Sequence, residues 1–294
     1  MRRREALVDA LRARGELWEP TPGVVGLRGA PLALLRQLEH LLATRCAAQT
    51  DDEWAVPAAL PLTVLERAGY FASFPQWLTL ASHLSDDPAT LERIALSAAP
   101  GRAAAGAAAP AAAALPPAVC YHVYDALAGT TVPRARIVTA QGLCWRHEGH
   151  RLAALERGWA FTMRELVCIG TEADCAAFRE RGLEMGRSLA TALDLDWSIE
   201  PAEDPFFAPT ARGRALLQRV KGLKHELRLP VGDGDTIAAA SFNLHEQFFG
   251  EAFDIRLATG EPAHTACVAF GLERWLLAAL IRREVGHPAL EALV

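Results

Sequence analysis

The chain has 294 residues, 51% of them hydrophobic, and a formal net charge of -5; it can fill a substantial core, and no general excess of positive charge draws it to nucleic acid or an anionic membrane. No apolar run approaches the ~20 residues that span a bilayer, and the opening MRRREALVDALRARG lacks the apolar block of a signal peptide, so a cytoplasmic protein with no membrane partner is expected. Six cysteines, Cys46, Cys120, Cys144, Cys168, Cys175 and Cys267, form no CxxC pair and read as reduced, mostly buried thiols.

In chain order, residues 1–50 read as a short helical N-terminal segment. ALVDALRARG and PLALLRQLEHLLATRC carry leucines at spacings of three and four, around a loop rich in Pro and Gly. Residues 51–294 read as one catalytic-sized unit. Within it, SAAPGRAAAGAAAPAAAALPP at 97–117 is low in complexity, and its prolines and glycines interrupt every run of helix-favouring alanine, so a flexible surface insertion is expected there. Short strands are expected around 119–124, 136–148, 159–169, 222–230, 236–244 and 264–270. Their short connections favour antiparallel pairing. Thr171 with Asp174 has the spacing of a capping box, and the helix it opens runs to about Leu193. A last helix starts near Gly271 with Leu272, Trp275, Leu276, Ala279 and Leu280 on one stripe. The class expected is α+β, an antiparallel sheet flanked by helices.

Two residues resist a purely structural account. Strand alternation puts Glu165 on one face with Trp159, Phe161, Met163 and Val167, where a lone carboxylate is costly to desolvate and calls for a cation or a metal. Arg274 falls in the first turn of the last helix, where the backbone dipole already disfavours positive charge; an anion is missing beside it. Other features read as structural. His245-Glu246 lacks the second histidine of HExxH, VGDGDT at 231–236 lacks the lysine of a P-loop and reads as a hairpin turn, and Phe248, Phe249 and Phe253 read as core or dimer packing. Taken singly, a cysteine in an apolar strand is a small core residue, and an Arg146–Glu148 pair is a surface ion pair of little worth.

The order of the polar residues is more specific. Arg146-His147-Glu148, followed by Arg157, Phe161 and Glu165, resembles motif 2 of the class II aminoacyl-tRNA synthetases in its seryl form. Phe270-Gly271-Leu272-Glu273-Arg274 resembles motif 3, and Pro57 with the segment Pro61 to Pro75 is a weaker counterpart of motif 1. The resemblance covers roughly residues 50–285. It implies a class II synthetase-type catalytic fold that binds ATP with magnesium. Arg146 would clamp the α-phosphate and the substrate carboxylate, Phe161 would stack on adenine, Glu148 would accept from its amino group, and Arg157 and Arg274 would belong to the ATP site, with Arg274 at the γ-phosphate. Lys224, Glu226, Ser241 and Asn243 fall at substrate-binding positions. Cys120, Glu165 and Cys267 resemble the zinc site of the methanogen-type seryl-tRNA synthetases and of their truncated homologues, the amino acid:carrier protein ligases, in which the metal holds the amino group of the amino acid. Three protein ligands leave a fourth zinc position open, as a catalytic site requires.

The phrases GYFASFP, VCYHVY, SFNLHEQFFGEAF and AHTACVAFGLERW point to the carrier-protein ligases among these relatives, and about fifty residues ahead of the catalytic region are poor equipment for tRNA. The expectation is therefore a homodimer that activates a small amino acid, glycine or alanine, and loads it onto the phosphopantetheine thiol of a carrier protein, without tRNA. Arg212, Arg214, Arg219 and Lys221 are a candidate carrier-docking patch. One departure bears on the chemistry: Ala238 to Ala240 stand where seryl enzymes carry an acid that helps hold magnesium. That leaves a non-catalytic, synthetase-like binding module as the main alternative, and tRNA charging as a third.

Overall fold

The computed structural model describes residues 2–50, 52–207 and 218–284. A seven-stranded sheet organises them. Its strands run, edge to edge, Ser198–Pro201, Lys224–Pro230, Thr236–Glu246, His264–Gly271, Ala160–Gly170, Arg136–Trp145 and Glu53–Ala55. Every neighbouring pair is antiparallel except the last, where Glu53–Ala55 runs parallel to Arg136–Trp145. The VGDGDT stretch is the expected tight turn between two sheet strands, closed by the Val231 N–H to the Asp235 carbonyl at 2.9 Å, with Gly232 and Gly234 at positive φ, where glycine carries no Cβ penalty.

Each face of the sheet has its own core, which follows from the two-residue alternation of strands. Leu166, Cys168, Phe242, Val268 and Phe270 pack on one side with the long helix Glu172–Ala192. That helix opens with the capping box read from the sequence: Thr171 Oγ1 accepts from the Asp174 N–H at 3.2 Å, and Asp174 accepts from the Thr171 N–H at 2.9 Å. The last helix, Leu272–Glu284, buries Leu272, Trp275, Leu276 and Ala279 in the same core. Met163, Val167, Cys144, Cys267 and Ala269 point the other way, toward the short helices Cys120–Ala126 and Phe248–Phe253.

Three local expectations are corrected. Residues 119–124 form the start of a helix, Cys120–Ala126, and not a strand. Cys120 through Tyr124 are all buried, so no exposed position marks the period, and an apolar run of this length fits either element. The strand expected to reach 148 ends at Trp145, and a 3-10 turn, Gly149–Arg151, follows. The loop expected between the N-terminal helices Arg3–Ala13 and Gly29–Ala47 is a β-hairpin, Leu17–Thr21 with Val24–Leu27.

The alanine-rich stretch carries regular structure at both ends, a helix Pro100–Ala105 and a strand Ala113–Leu115. That strand is the centre of a three-stranded sheet between Leu60–Pro61 and Thr79–Ala81, and Ala114 is fully buried. The N-terminal helices are integrated with the larger core, where Leu7, Leu11, Leu34, Leu38 and Leu42 meet Trp275 and Leu276. No helix of the described residues is long and apolar enough to cross a membrane.

Gly250 sets how closely the helix Phe248–Phe253 approaches the sheet, since a Cβ there would run into the backbone of Ala263. Gly250→Ala should destabilise the protein in urea unfolding by about 1–3 kcal/mol from overpacking, against the ~1 kcal/mol that alanine gains as a helix former; an unchanged or raised midpoint would show that this contact relaxes freely.

Candidate active site

The face of the sheet opposite the long helix gathers most of the polar residues singled out in the sequence. Register places Cys267 beside Asn243 on one flank and Val167 on the other, Ala269 beside both Ser241 and Glu165, and Ser241 beside Glu226. Lys224 pairs with Asn243. Strand pairing thus brings together residues about a hundred positions apart in the chain, as with Ala269 and Glu165.

Glu165 is only 1% exposed. Its Oε1 accepts the Val119 N–H at 2.9 Å, and its Oε2 accepts the Cys120 N–H at 3.0 Å and the Cys267 thiol at 3.1 Å. The two amides lie at the start of a helix, where backbone donors lack intrahelical partners. This is why Cys120 belongs on a helix: the turn that supplies its thiol also supplies donors for the buried acid.

One ligand atom each from Cys120, Glu165 and Cys267 lies within 4.8 Å of the others. Crowding pushes the Cys267 thiol well above its usual range, through its hydrogen bond with Cys120, burial and the Glu165 carboxylate. On Cys120 the bond to Cys267 pulls downward, while burial and Glu165 push harder upward. A divalent cation would relieve this crowding of acidic groups in one step. The donor set fits zinc: two thiolates and one carboxylate, at ligand bonds of about 2.0–2.3 Å, close a three-ligand site with room for a fourth group. A carboxylate offers about four lone-pair sites, so the two amide bonds leave Glu165 able to ligate.

A cavity of about 410 Å³ lies along this face and is bounded by Arg146, Phe161, Met163, Ser241, Ala269 and Arg274. The triad sits just beyond its floor, since Cys267 and Glu165 are each two residues along the same strand face from Ala269 and Met163. A second cavity of about 620 Å³ continues from Arg146, Lys224 and Arg274 out past Trp77, His150 and Arg228.

Arg146 donates from Nε to the Pro117 carbonyl at 2.8 Å, and its guanidinium lies 5.8 Å from the Trp77 ring centre and 5.5 Å from that of Phe161, in the range of cation–π attraction. Arg274 donates to two carbonyls, Glu156 and Ala238, each at 2.8 Å. Among the described residues neither guanidinium has a carboxylate partner. Burial, together with nearby Arg157 and Arg146, pulls the Arg274 pKa down further than Glu148 and Glu226 raise it. Its neighbour Glu273, whose pKa burial raises, lines the same cavity and accepts the Thr162 N–H at 2.9 Å.

The remaining predicted residues are close by but engaged. Glu148 is ion-paired with Arg157. Lys224 meets Asp204 at 2.6 Å and Glu226 at 3.2 Å; burial lowers its pKa, and these acids raise it further than burial lowers it. Asn243 donates to Ser241 Oγ at 3.2 Å. Of the candidate docking patch, Arg212 and Arg214 lie outside the described residues, while Arg219 is paired with Glu203 at 3.1 Å and Lys221 with Glu246 at 2.7 Å.

Sequence reasoning missed the wall opposite the sheet. Val24, Val25 and Leu27 of the N-terminal hairpin and Leu32 and Leu35 of the following helix line the smaller cavity. Apolar residues in VVGLRGAPLALL were the available signal, but nothing local says which cavity they close. It also missed Asp204, whose contact with Lys224 is purely tertiary.

No family model matches the sequence. The chain is 35% identical over 256 residues, 84% of its own length and 76% of the relative's, to amino acid:acyl-carrier-protein ligase 1 of Bradyrhizobium diazoefficiens. It belongs to the amino acid:acyl-carrier-protein ligase family. The type-2 serine–tRNA ligase of Methanothermobacter thermautotrophicus is 27% identical over 269 residues, which cover 85% of this chain and 51% of that protein. Among solved structures, Methanopyrus kandleri SerRS, determined with an A. aeolicus tRNASec, superposes with a TM-score of 0.85 at 23% identity, over 99% of this chain and 60% of that one. The ligase therefore has the class II aminoacyl-tRNA synthetase catalytic fold, and spans about half to three-fifths of these serine enzymes.

The triad makes a direct prediction for this ligase. Purified protein should hold about one zinc per chain, Cys267→Ala should lose it, and Cys46→Ala, a change in the core on the other face of the sheet, should retain it. Elemental analysis after gel filtration reads the result, and equal metal in both variants would reject the triad as the site.

Proposed function

We propose that the protein activates a small amino acid, glycine or alanine, with ATP and transfers it to the phosphopantetheine thiol of a carrier protein. The observation that carries this reading is the placement of two chemically opposite poles along one face of the sheet. Just beyond the floor of the smaller cavity is the buried Cys120–Glu165–Cys267 set. At the other pole are Arg146 and Arg274, guanidinium groups without acid partners among the described residues.

Zinc on the triad would bind the free α-amine of the substrate and so select an unprotonated amino group. Arg146 borders both cavities, where a planar fork can take a carboxylate and an α-phosphate oxygen together. The substrate carboxylate oxygen attacks the α-phosphorus, the bond to the bridging oxygen breaks, and pyrophosphate leaves toward Arg274. Phe161, already under a guanidinium, is the face on which adenine stacks. Positioning and charge complementarity supply most of the acceleration. In the second half-reaction the carrier sulfur attacks the acyl carbon, the carbon–oxygen bond to AMP breaks, and the thiol proton passes to solvent or to the departing phosphate.

Magnesium would enter with ATP, but Ala238 to Ala240 offer it no side-chain oxygen. Of the carboxylates that line the smaller cavity, Glu148, Glu156 and Glu226 are occupied by cations, and Glu273 accepts the Thr162 N–H. Phosphate charge on the protein side thus falls to Arg146, Arg157 and Arg274. A homodimer is part of the same proposal. Carrier protein is favoured over tRNA as acceptor because the relatives at 33–35% identity are carrier-protein ligases, whereas the serine enzyme above is at 27%.

With ATP, glycine and a phosphopantetheinylated carrier, the purified protein should form a thioester that hydroxylamine cleaves; charging of tRNA alone would overturn the acceptor. Arg274→Ala should lower kcat/KM for ATP in amino-acid-dependent pyrophosphate exchange by about 100-fold and leave metal content unchanged. Unaltered ATP kinetics would reject its phosphate role.

A further inference from the structure

Arg274 reaches the cavity because two carbonyl oxygens hold it, and they belong to very different structures. Ala238 is in a sheet strand. Glu156 is in the long connection between the strands Arg136–Trp145 and Ala160–Gly170, which needs an anchor of its own to present that oxygen in one place.

The anchor is the N-terminal helix. Arg4, 8% exposed, contacts the Glu156 carboxylate at 2.8 Å and Asp235 at 2.7 Å, while the Arg3 N–H donates to Asp233 at 2.6 Å. Arg4 thus ties the Glu156 turn to the hairpin turn at one end of the Ala238 strand. The same guanidinium braces both carbonyl-bearing elements.

The turn is itself constrained. Arg157 N–H donates to the Ala153 carbonyl at 2.8 Å, and Ala153 N–H returns a bond to Arg157 at 3.0 Å. Leu155 has φ 61, a left-handed conformation that costs a leucine of order 1 kcal/mol and persists only where its surroundings impose it. Its side chain is 1% exposed, in the core that contains Leu7, Val8 and Leu11 of the N-terminal helix. The helix therefore grips the turn twice, by Leu155 through packing and by Glu156 through charge.

We propose that Arg4 is a positioning residue for amino-acid activation: through Glu156 it fixes the turn whose carbonyl aims Arg274 at the nucleotide phosphates. The inference rests on the adenylating function proposed above. It assigns the N-terminal helix a part in ATP use although its own side chains need not touch ATP. Removing Arg4 frees the turn, lets Leu155 relax, and disperses the guanidinium of Arg274 over several orientations.

The test is pyrophosphate exchange with wild type, Arg4→Met, Arg4→Lys, Arg4→Met/Glu156→Gln and Arg274→Ala, with zinc content and thermal midpoint measured on each. Arg4→Met should raise the KM for ATP about 10-fold, with the KM for glycine and the zinc content held within about twofold. Arg4→Lys should recover most of the ATP affinity. The double variant carries the decisive contrast: with the more buried of Arg4's two carboxylate partners neutralised, and only the solvent-exposed Asp235 left without its partner, it should regain thermal stability but not the ATP KM, because the side-chain amide that replaces the Glu156 carboxylate has no anchor. A wild-type ATP KM in Arg4→Met, or an ATP KM that returns with stability in the double variant, overturns the positioning role. Should Arg4→Met not fold, the double variant against Arg4→Lys gives the same comparison. Wild type without exchange, or an Arg274→Ala variant with normal ATP kinetics, overturns the adenylation reading and this inference with it; an impaired Arg274→Ala beside a normal Arg4→Met overturns this inference alone.

Discussion

Glu165 has almost no contact with water, and a carboxylate so placed costs several kcal/mol unless charge or hydrogen bonds surround it. The chain answers by turning a helix at Val119 and Cys120 so that two backbone amides point at it, and by setting Cys267 against it from the neighbouring strand. The rest of the site inherits its position from this arrangement. The helix start fixes Cys120, strand register fixes Cys267, and the same register continues through Ala269 and Met163 into the cavity.

A second constraint works at the other end. Arg274 occupies the first turn of a helix, where the dipole opposes it, and it is held by carbonyl oxygens alone among the described residues. Arg146 is likewise satisfied by a carbonyl and aromatic faces. Such groups are placed for a ligand that brings its own negative charge. On the proposed function, the buried acid with its thiols at one pole and two guanidinium groups without a carboxylate partner among the described residues at the other suit a molecule that carries an amine at one end and phosphates at the other. An aminoacyl-adenylate in formation has that polarity.

What could be read in advance follows from how local each signal is. The Thr171 cap, the Trp275 stripe and the Lys224–Glu246 hairpin are set by neighbours in the sequence, and all three stand in the structure as expected. Glu165 was conspicuous because strand alternation alone condemned it to an apolar face. Cys120 lies beside Glu165 and Cys267, but on a helix and not on the strand its sequence suggests, since a fully buried run hides its period. Ala114 was read as part of a loose insertion because composition cannot show that a small residue is wanted between two other strands. The N-terminal residues read only as a short helical segment; their hairpin, their place in a cavity wall and the Arg4–Glu156 contact across some 150 residues are consequences of tertiary packing.

The central claim is that a metal ion on Cys120, Glu165 and Cys267 presents an open position to the substrate amine. X-ray absorption at the zinc edge, recorded on the purified protein before and after addition of glycine, addresses it most directly. The account predicts two sulfur neighbours at about 2.3 Å in both spectra, with the nitrogen and oxygen shell altered by glycine and the sulfur count unchanged. A shell of four sulfurs, or of none, or one indifferent to glycine, would contradict it.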